Sequence, residues 1–247
     1  MPKVVALISG GIDSPVAACL ASRKMQIIPL HFCLYPFYCE DSFRLFIESL
    51  RVLREKAPFG KIVIYPWWEI LSAILRGKER KYMCVLCRRG MLKAAELVCE
   101  SEDALGMVTG ESLGQKASQT LRNLSAVSHG VKYPILRPLI GLDKTEIQAT
   151  SRKLGIWCEK HSGCCSATPN EPATAADVDR LNDLYLRFKI QALIEEAFTR
   201  RFDEQIMSPS DLDQVLVTVL KKMWSQTEDL VLKIEEFSPT LRSVTDA

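Results

Sequence analysis

The chain has 247 residues, of which 47% are hydrophobic and 25% charged, with a formal net charge of +2. That composition is ordinary for a soluble globular protein, and so small a net charge does not by itself argue for nucleic acid. The length suits one large domain or one domain with an appendage, and no apolar run is long enough to span a membrane.

A buried-type strand, Val4 to Ile8, comes first and runs into Ser9-Gly10-Gly11-Ile12-Asp13-Ser14-Pro15. Ser14 is a good N-cap and Pro15 suits a first helical position, so a helix is predicted over about 15–24. The second strand is Gln26 to Phe32. Phe43, Phe46, Ile47, Leu50 and Leu53 then share one helical face, closed by Pro58. Lys61 to Tyr65 is the third strand, and a helix from near Arg88 runs to about Glu100. Ala104 to Thr109 and Ile135 to Leu139 supply the fourth and fifth strands. The next helix opens at Asp143, with Glu146 completing a capping box, and stops at Gly155. Apolar strands alternating with amphipathic helices predict an α/β protein with a doubly wound parallel sheet. The Pro/Ala/Thr-rich stretch near 169–176 marks a boundary, dividing residues 1–172 from a helical C-terminal extension over 173–247. Its stripes, Val178 to Ala192 and Leu212 to Met223, read as packing faces, with a partner-docking face as the alternative. The first strand begins within a few residues of Met1, which predicts no signal peptide and a cytoplasmic protein.

The Gly-rich loop carries the chemistry. Two glycines let the backbone bend and approach a ligand, and the following helix N-terminus favours a phosphate anion. Asp13 would repel that anion unless a hard cation such as Mg2+ lay between them. The loop lacks the Gly-Lys-Ser/Thr of a Walker motif and the Gly-x-Gly-x-x-Gly dinucleotide pattern. It reads as a pyrophosphate loop, with an ordinary strand–helix turn as the alternative. Ligands of open parallel sheets bind at the carboxyl ends of the strands. Ser9 and Gly10, His31 and Phe32, Gly110 and Glu111, Gln115 and Gln119, and Arg137 fall at or near those ends, so one ATP pocket would collect them. His31 also reads as a core histidine.

Nine cysteines, an odd number in a chain expected to keep its thiols reduced, weigh toward metal or redox chemistry over disulfides. Cys84 and Cys87 have the spacing to grip one metal or cluster, or to form a redox pair. Cys164-Cys165 lies in a polar loop, and adjacent cysteines rarely bind one metal together, so one of them would be a third ligand. Three thiolates suit an iron–sulfur cluster with one open iron better than structural zinc. The alternative is that Cys84 and Cys87 are merely small buried residues at a helix start. Cys19, Cys33, Cys99 and Cys158 sit in apolar settings and read as packing. From Arg76 to Lys93, seven cations (Arg76, Lys78, Arg80, Lys81, Arg88, Arg89 and Lys93) face one acid, Glu79. That run reads either as a phosphate-binding patch or as a solvated basic face.

Ser9 to Pro15, Thr109-Gly110-Glu111-Ser112-Leu113-Gly114-Gln115 with Ala117 to Leu121, and Arg137-Pro138-Leu139-Ile140-Gly141-Leu142-Asp143-Lys144 together resemble the tRNA 4-thiouridine synthetase (ThiI) family over roughly residues 4–175. The resemblance implies a pyrophosphate-loop fold of the adenine nucleotide alpha hydrolase kind. It implies an ATP-dependent sulfurtransferase that adenylates a tRNA uridine, releases pyrophosphate, and lets sulfur displace AMP. Sulfur supply for thiazole synthesis is a second family role. By motif position, ATP contacts fall at Leu7, Ile8, Ser9, Gly10, Gly11, Ile12, Asp13, Ser14, His31, Phe32, Arg88, Gly110 and Gln119. Asp13 and Lys144 are the implied catalytic charges. The sulfur-carrying cysteine falls at Cys164 or Cys165, and spacing to Pro172 favours Cys165. The Cys84/Cys87 pair resembles an archaeal-type variant, in which these two and the later cysteine, here Cys165, hold an iron–sulfur cluster and sulfide replaces a persulfide carrier. Family members carry an N-terminal RNA-binding region that these residues do not supply. This implies weak tRNA binding alone and a separate RNA-binding partner. No membrane contact is expected, and the oligomeric state is left open, a homodimer being one alternative.

Two other functions compete with tRNA thiolation. One is adenylation of a small molecule or sulfur-carrier protein on the same fold. The other is a non-catalytic nucleotide- or iron–sulfur-binding subunit, against which Asp13 and Lys144 argue.

Overall fold

Five parallel strands are built from the apolar runs: β1 (Lys3–Leu7), β2 (Gln26–Cys33), β3 (Lys61–Pro66), β4 (Met107–Val108) and β5 (Ile135–Leu136). The computed structural model describes residues 1–35, 37, 40–160, 165 and 167–237. A sixth strand, β6 (Phe202–Gln205), joins antiparallel to β3, and the sheet order is β5-β4-β1-β2-β3-β6. The chain moves from β1 out to β3, then returns to the other side of β1 for β4. The reversal lies between β1 and β4, and it opens a crevice at their carboxyl ends.

Nine helices cover the sheet among the described residues: α1 (Asp13–Ser22), α2 (Glu40–Lys56), α3 (Trp68–Leu75), α4 (Met83–Ser101), α5 (Leu121–Ser128), α6 (Lys144–Leu154), α7 (Val178–Arg187), α8 (Ile190–Thr199) and α9 (Pro209–Phe237). The α2 face read from the sequence is the buried one, with Phe46, Leu50 and Leu53 fully covered. None of the described helices is long and apolar enough to cross a membrane.

The structure differs from the sequence-based expectation at several points. Helix α1 begins at Asp13, its N-cap is Ile12, and Ser14 is not a cap. The Ser14 hydroxyl instead accepts the Ser9 N–H at 2.9 Å. A short serine can serve the loop or the helix end, and here the loop takes it. Helices α3 and α5 were not anticipated, because eight residues give little more than two turns of periodic signal. Within the helical extension, β6 reads Phe-Asp-Glu-Gln and lacks the apolar character of a buried strand, as suits an edge.

The expected capping box is formed: Glu146 N–H donates to Asp143 Oδ1 and Asp143 N–H to Glu146 Oε2, both at 2.8 Å. Helix α6 ends at Gly155, whose φ of +68° is a left-handed cap. Gly155→Ala is therefore expected to lower unfolding free energy by about 1–2 kcal/mol, the cost of a side chain in that conformation. Gly60→Ala, in open space without a positive φ, is the control. Urea denaturation of both variants reads the difference, and equal losses would refute the assignment.

Candidate active site

The crevice between β1 and β4 is built by close backbone packing. A Cβ at Gly110 would stand 2.6 Å from the Ser14 nitrogen and 2.7 Å from the Asp13 carbonyl carbon. Only glycine lets the end of β4 touch the first turn of α1 so closely. The loop itself is self-bonded: Gly11 N–H donates to Ser9 Oγ at 3.2 Å, and the Ser9 and Ser14 hydroxyls lie 3.0 Å apart. Neither Gly10 nor Gly11 adopts a positive φ. What glycine provides here is close approach, not an unusual turn.

Above the loop lies a cavity of about 760 Å³. The structure brings into its wall all the residues that the family resemblance assigns to ATP contact: Leu7, Ile8 and the loop Ser9–Ser14 after β1, His31 and Phe32 from β2, Arg88 from α4, Gly110 after β4, and Gln119 beyond it. Glu111, Gln115 and Lys144 join them; Arg137, also expected there, stands behind the wall on Glu111. His31 stacks on Phe46 with ring centroids 3.9 Å apart, and its Nδ1 stands 2.9 Å from the Ile8 carbonyl. A carbonyl only accepts, so Nδ1 carries the proton. Burial pushes the ring's pKa down to about 4, against the Ile8 hydrogen bond that raises it, so the ring is neutral near pH 7. His31 is thus a satisfied core histidine and a cavity-wall residue at once.

Two ion pairs shape the mouth. Lys144 Nζ donates to Asp13 Oδ1 at 2.7 Å. Both residues open their helices, so α1 and α6 aim two positive dipole ends at the same space. Deeper in, the fully buried Glu111 carboxylate is gripped by Arg88 on one oxygen and by Arg137 on the other. Thr109 Oγ1 also donates to it at 2.9 Å. Burial alone would raise the Glu111 pKa, but the two guanidiniums outweigh it and hold it at about 2.

The cysteines gather at the start of α4. Cys87 Sγ accepts a hydrogen bond from Trp67 Nε1 at 3.1 Å. Burial pushes the Cys87 thiol up to about 12, and the neighbouring Cys165 and Cys84 push it the same way. The structure thus places Cys84, Cys87 and Cys165 as neighbours. Cys164 and Cys39 lie outside the described residues. Among the described residues, no three His, Cys, Asp or Glu side chains converge as a set for a single metal ion. Cys19, Cys33 and Cys99 are buried, as their apolar settings imply, while Cys158 is half-buried.

The basic run divides in two. Arg88 is committed to Glu111, Lys93 to Glu96, and the buried Arg89 to Asn182. Arg76, Lys78, Arg80 and Lys81 remain exposed. Sequence reasoning missed Trp67 and Leu220. Trp67 follows β3, so the strand-end rule that found the other residues would have found it. Leu220 lines the cavity from α9, some 200 positions from the loop, and nothing local marks it.

A parallel sheet with a Gly-rich loop at its switch point, under an aspartate–lysine pair, defines a pyrophosphate-loop nucleotide-binding fold. Residues 1–190 match the family model described as thiamine biosynthesis protein (ThiI), and the chain belongs to that family. A probable tRNA sulfurtransferase of Methanothermobacter thermautotrophicus is 37% identical over 212 residues, covering 83% of this chain and 54% of that protein. A probable tRNA sulfurtransferase of Methanobrevibacter smithii is 40% identical over 202 residues, covering 79% and 53%. The crystal structure of a 4-thiouridine synthetase–RNA complex with bound ATP aligns with a TM-score of 0.72 at 34% identity, covering 83% of this chain and 55% of that one. The chain spans about half the length of the curated relatives it matches.

Glu111→Gln leaves two arginines facing an uncharged group inside the protein. Its expected cost is ~3–5 kcal/mol at pH 7, the range for breaking a buried pair. The folded pKa of Glu111 lies below its ordinary 4.5, so its stabilisation is present above that value and fades as pH falls toward about 2. Urea midpoints of wild type and variant should converge over that window. A gap constant down to pH 2 would rule out the ionised carboxylate as its source.

Proposed function

We propose that this chain is the ATP-activating, sulfur-transferring part of a tRNA sulfurtransferase that makes 4-thiouridine. The observation that carries this reading is the Asp13–Lys144 pair over the pyrophosphate loop, at the mouth of one cavity holding all thirteen expected ATP-contact residues. The sulfurtransferase names of the relatives and the bound ATP and RNA of the aligned synthetase support it. We divide the chain at residue 172, with the catalytic part before it and the extension after.

In this reading the loop N–H groups and the α1 terminus hold the pyrophosphate portion of ATP. Asp13 would hold a Mg2+ ion, which would offset the pyrophosphate charge, and Lys144 neutralises charge on the α-phosphate side. The uridine O4 attacks the α-phosphorus, the bond to the β-phosphate oxygen breaks, and pyrophosphate leaves. A sulfur nucleophile then adds at C4 of the adenylated uridine, and AMP departs with the original oxygen. The nucleophile comes from sulfide or from a persulfide carrier. The four exposed cations from Arg76 to Lys81 suit non-specific phosphate contact, which positions RNA without choosing a base. Selection of the uridine is assigned to a separate RNA-binding partner.

The donor set fits an iron–sulfur cluster. Cys84 and Cys165 neighbour Cys87, whose sulfur accepts the Trp67 N–H, but the three do not converge as a set on one ion. A cluster accepts that looser grouping, because each thiolate binds its own iron. Cys84, Cys87 and Cys165, or Cys164 in its place, would hold it. A cluster held by three cysteines supplies an open iron to which sulfide can bind. A persulfide relay between Cys87 and Cys165 is the other use of the same neighbours, with Cys165 as sulfur carrier. The family's description as a thiamine biosynthesis protein supports a second acceptor for the same adenylation, in thiazole synthesis.

Incubated with ATP, Mg2+, sulfide, tRNA and a cell extract that supplies the RNA-binding partner, the protein is expected to yield AMP, pyrophosphate and 4-thiouridine, read by nucleoside mass spectrometry. Asp13→Asn should abolish all three products. ADP and phosphate from the wild type would refute the assigned cleavage. AMP and pyrophosphate without thiolated tRNA would favour the second acceptor.

Prepared without oxygen, the protein should carry iron and sulfide, and Cys84→Ala should lose both. Stoichiometric zinc and no iron would count against the cluster.

A further inference from the structure

The cavity wall is not supplied by the family-matched residues alone. Leu220 reaches it from α9, beyond the 1–190 segment that the family model matches. Helix α9 is held down by several independent contacts. Leu212, Val215, Val219 and Leu220 are buried and recur at helical spacing along one face. From Leu212 to Leu220 that face runs about 12 Å at helical rise. It packs against α2, whose first turns place Ser42 and Phe43 in the same cavity wall. Before the helix, Ile206 N–H donates to the Gly60 carbonyl at 2.9 Å, and Arg54 Nη2 donates to the Ile206 carbonyl at 3.0 Å. Arg51 pairs with Asp213 in the first turns of α9. Among the described residues, the last of the buried stripe, Leu220, is the one that reaches the cavity.

We infer that Leu220 is a nucleotide-contacting residue and that docking of α9 and binding of ATP stabilise one another. This rests on the reading of the cavity as the ATP site. The phosphate end is fixed by the loop and Lys144. Leu220, Tyr35, Leu34 and Phe43 form an apolar part of the wall, suited to covering the uncharged part of a nucleotide. A ligand that touches Leu220 binds the docked state better than the undocked one. By reciprocity, the docked helix then raises nucleotide affinity by the same factor. A segment outside the family-matched region thereby tunes an active site that the matched region builds.

The test uses the whole 247-residue chain. ATP affinity is measured by calorimetry for wild type, Leu220→Ala and Val217→Ala, the last an exposed position on the same helix. Amide exchange over 209–220 is followed with and without ATP. The expected results are a roughly tenfold weaker affinity in Leu220→Ala, the scale of a lost apolar contact in a pocket, an unchanged Val217→Ala, and slower exchange over 209–220 when ATP is present. Wild-type binding with equal affinity in Leu220→Ala and no change in exchange would overturn the inference and leave the ATP site standing. Absence of ATP binding by the wild type would overturn both.

Discussion

The carboxylate of Glu111 is fully buried, and the crevice between β1 and β4 is organised around it. It sits just past β4, beside Gly110, where that strand meets the first turn of α1. One arginine comes from α4, the helix that carries Cys84 and Cys87. The other follows β5. Three elements distant in sequence are thereby fixed to one atom group. A buried charge is costly unless paired and hydrogen-bonded, and two guanidiniums plus the Thr109 hydroxyl meet that demand. They also exceed it. One carboxylate neutralises one of two arginines, so a net positive charge remains there, with Arg88 in the cavity wall. That residual charge favours an anionic ligand.

The Asp13–Lys144 pair belongs to a different energetic class. Its side chains are 23% and 45% exposed, so solvent screens the attraction and the pair contributes at most about 1 kcal/mol to folding. Geometry, more than stability, explains its place. The capping box at Asp143 and Glu146 fixes the first turn of α6 and with it the Lys144 backbone. Both charges therefore stand at helix starts and face the same space at little cost to separate. So weak a pair can be parted by an incoming anion or cation, whereas the buried ion cluster holds its elements in place.

The phosphate loop, the residues at the strand ends and the capping box were legible in the sequence because each is encoded within a few neighbouring positions. Apolar runs gave the parallel strands for the same reason, although β4 and β5 are shorter than their apolar stretches. What sequence reading missed depends on contacts between distant positions. Strand β6 is polar and exists because β3 offers an unpaired edge. The run from Arg76 to Lys93 reads as one patch, yet three of its cations turn inward to Glu111, Asn182 and Glu96. The inward three stand on α4 and the exposed four precede it, and two of the partners, Glu111 and Asn182, lie elsewhere in the chain. Leu220 belongs to a packing stripe and also lines the cavity, a coincidence visible only in three dimensions.

The cysteine site and the cavity share a wall, and α4 sets their spacing. Cys87 and Arg88 are consecutive, so they project about 100° apart from one helix turn. Cys87 faces Trp67, while Arg88 faces Glu111 and the cavity. The Trp67 ring meets the Phe32 ring edge-on at 4.9 Å, and Phe32 lines the cavity. Trp67 therefore meets a cavity-wall ring with its own ring and the Cys87 thiol with its N–H. Sites carried on a helix and a strand end are held more precisely than sites carried on loops. Two of the neighbouring thiols have that rigid support. Cys165 comes from a turn closed by Thr168, whose N–H and hydroxyl both donate to the Cys165 carbonyl. Two thiols are thus carried on a helix and the third on a hydrogen-bonded turn.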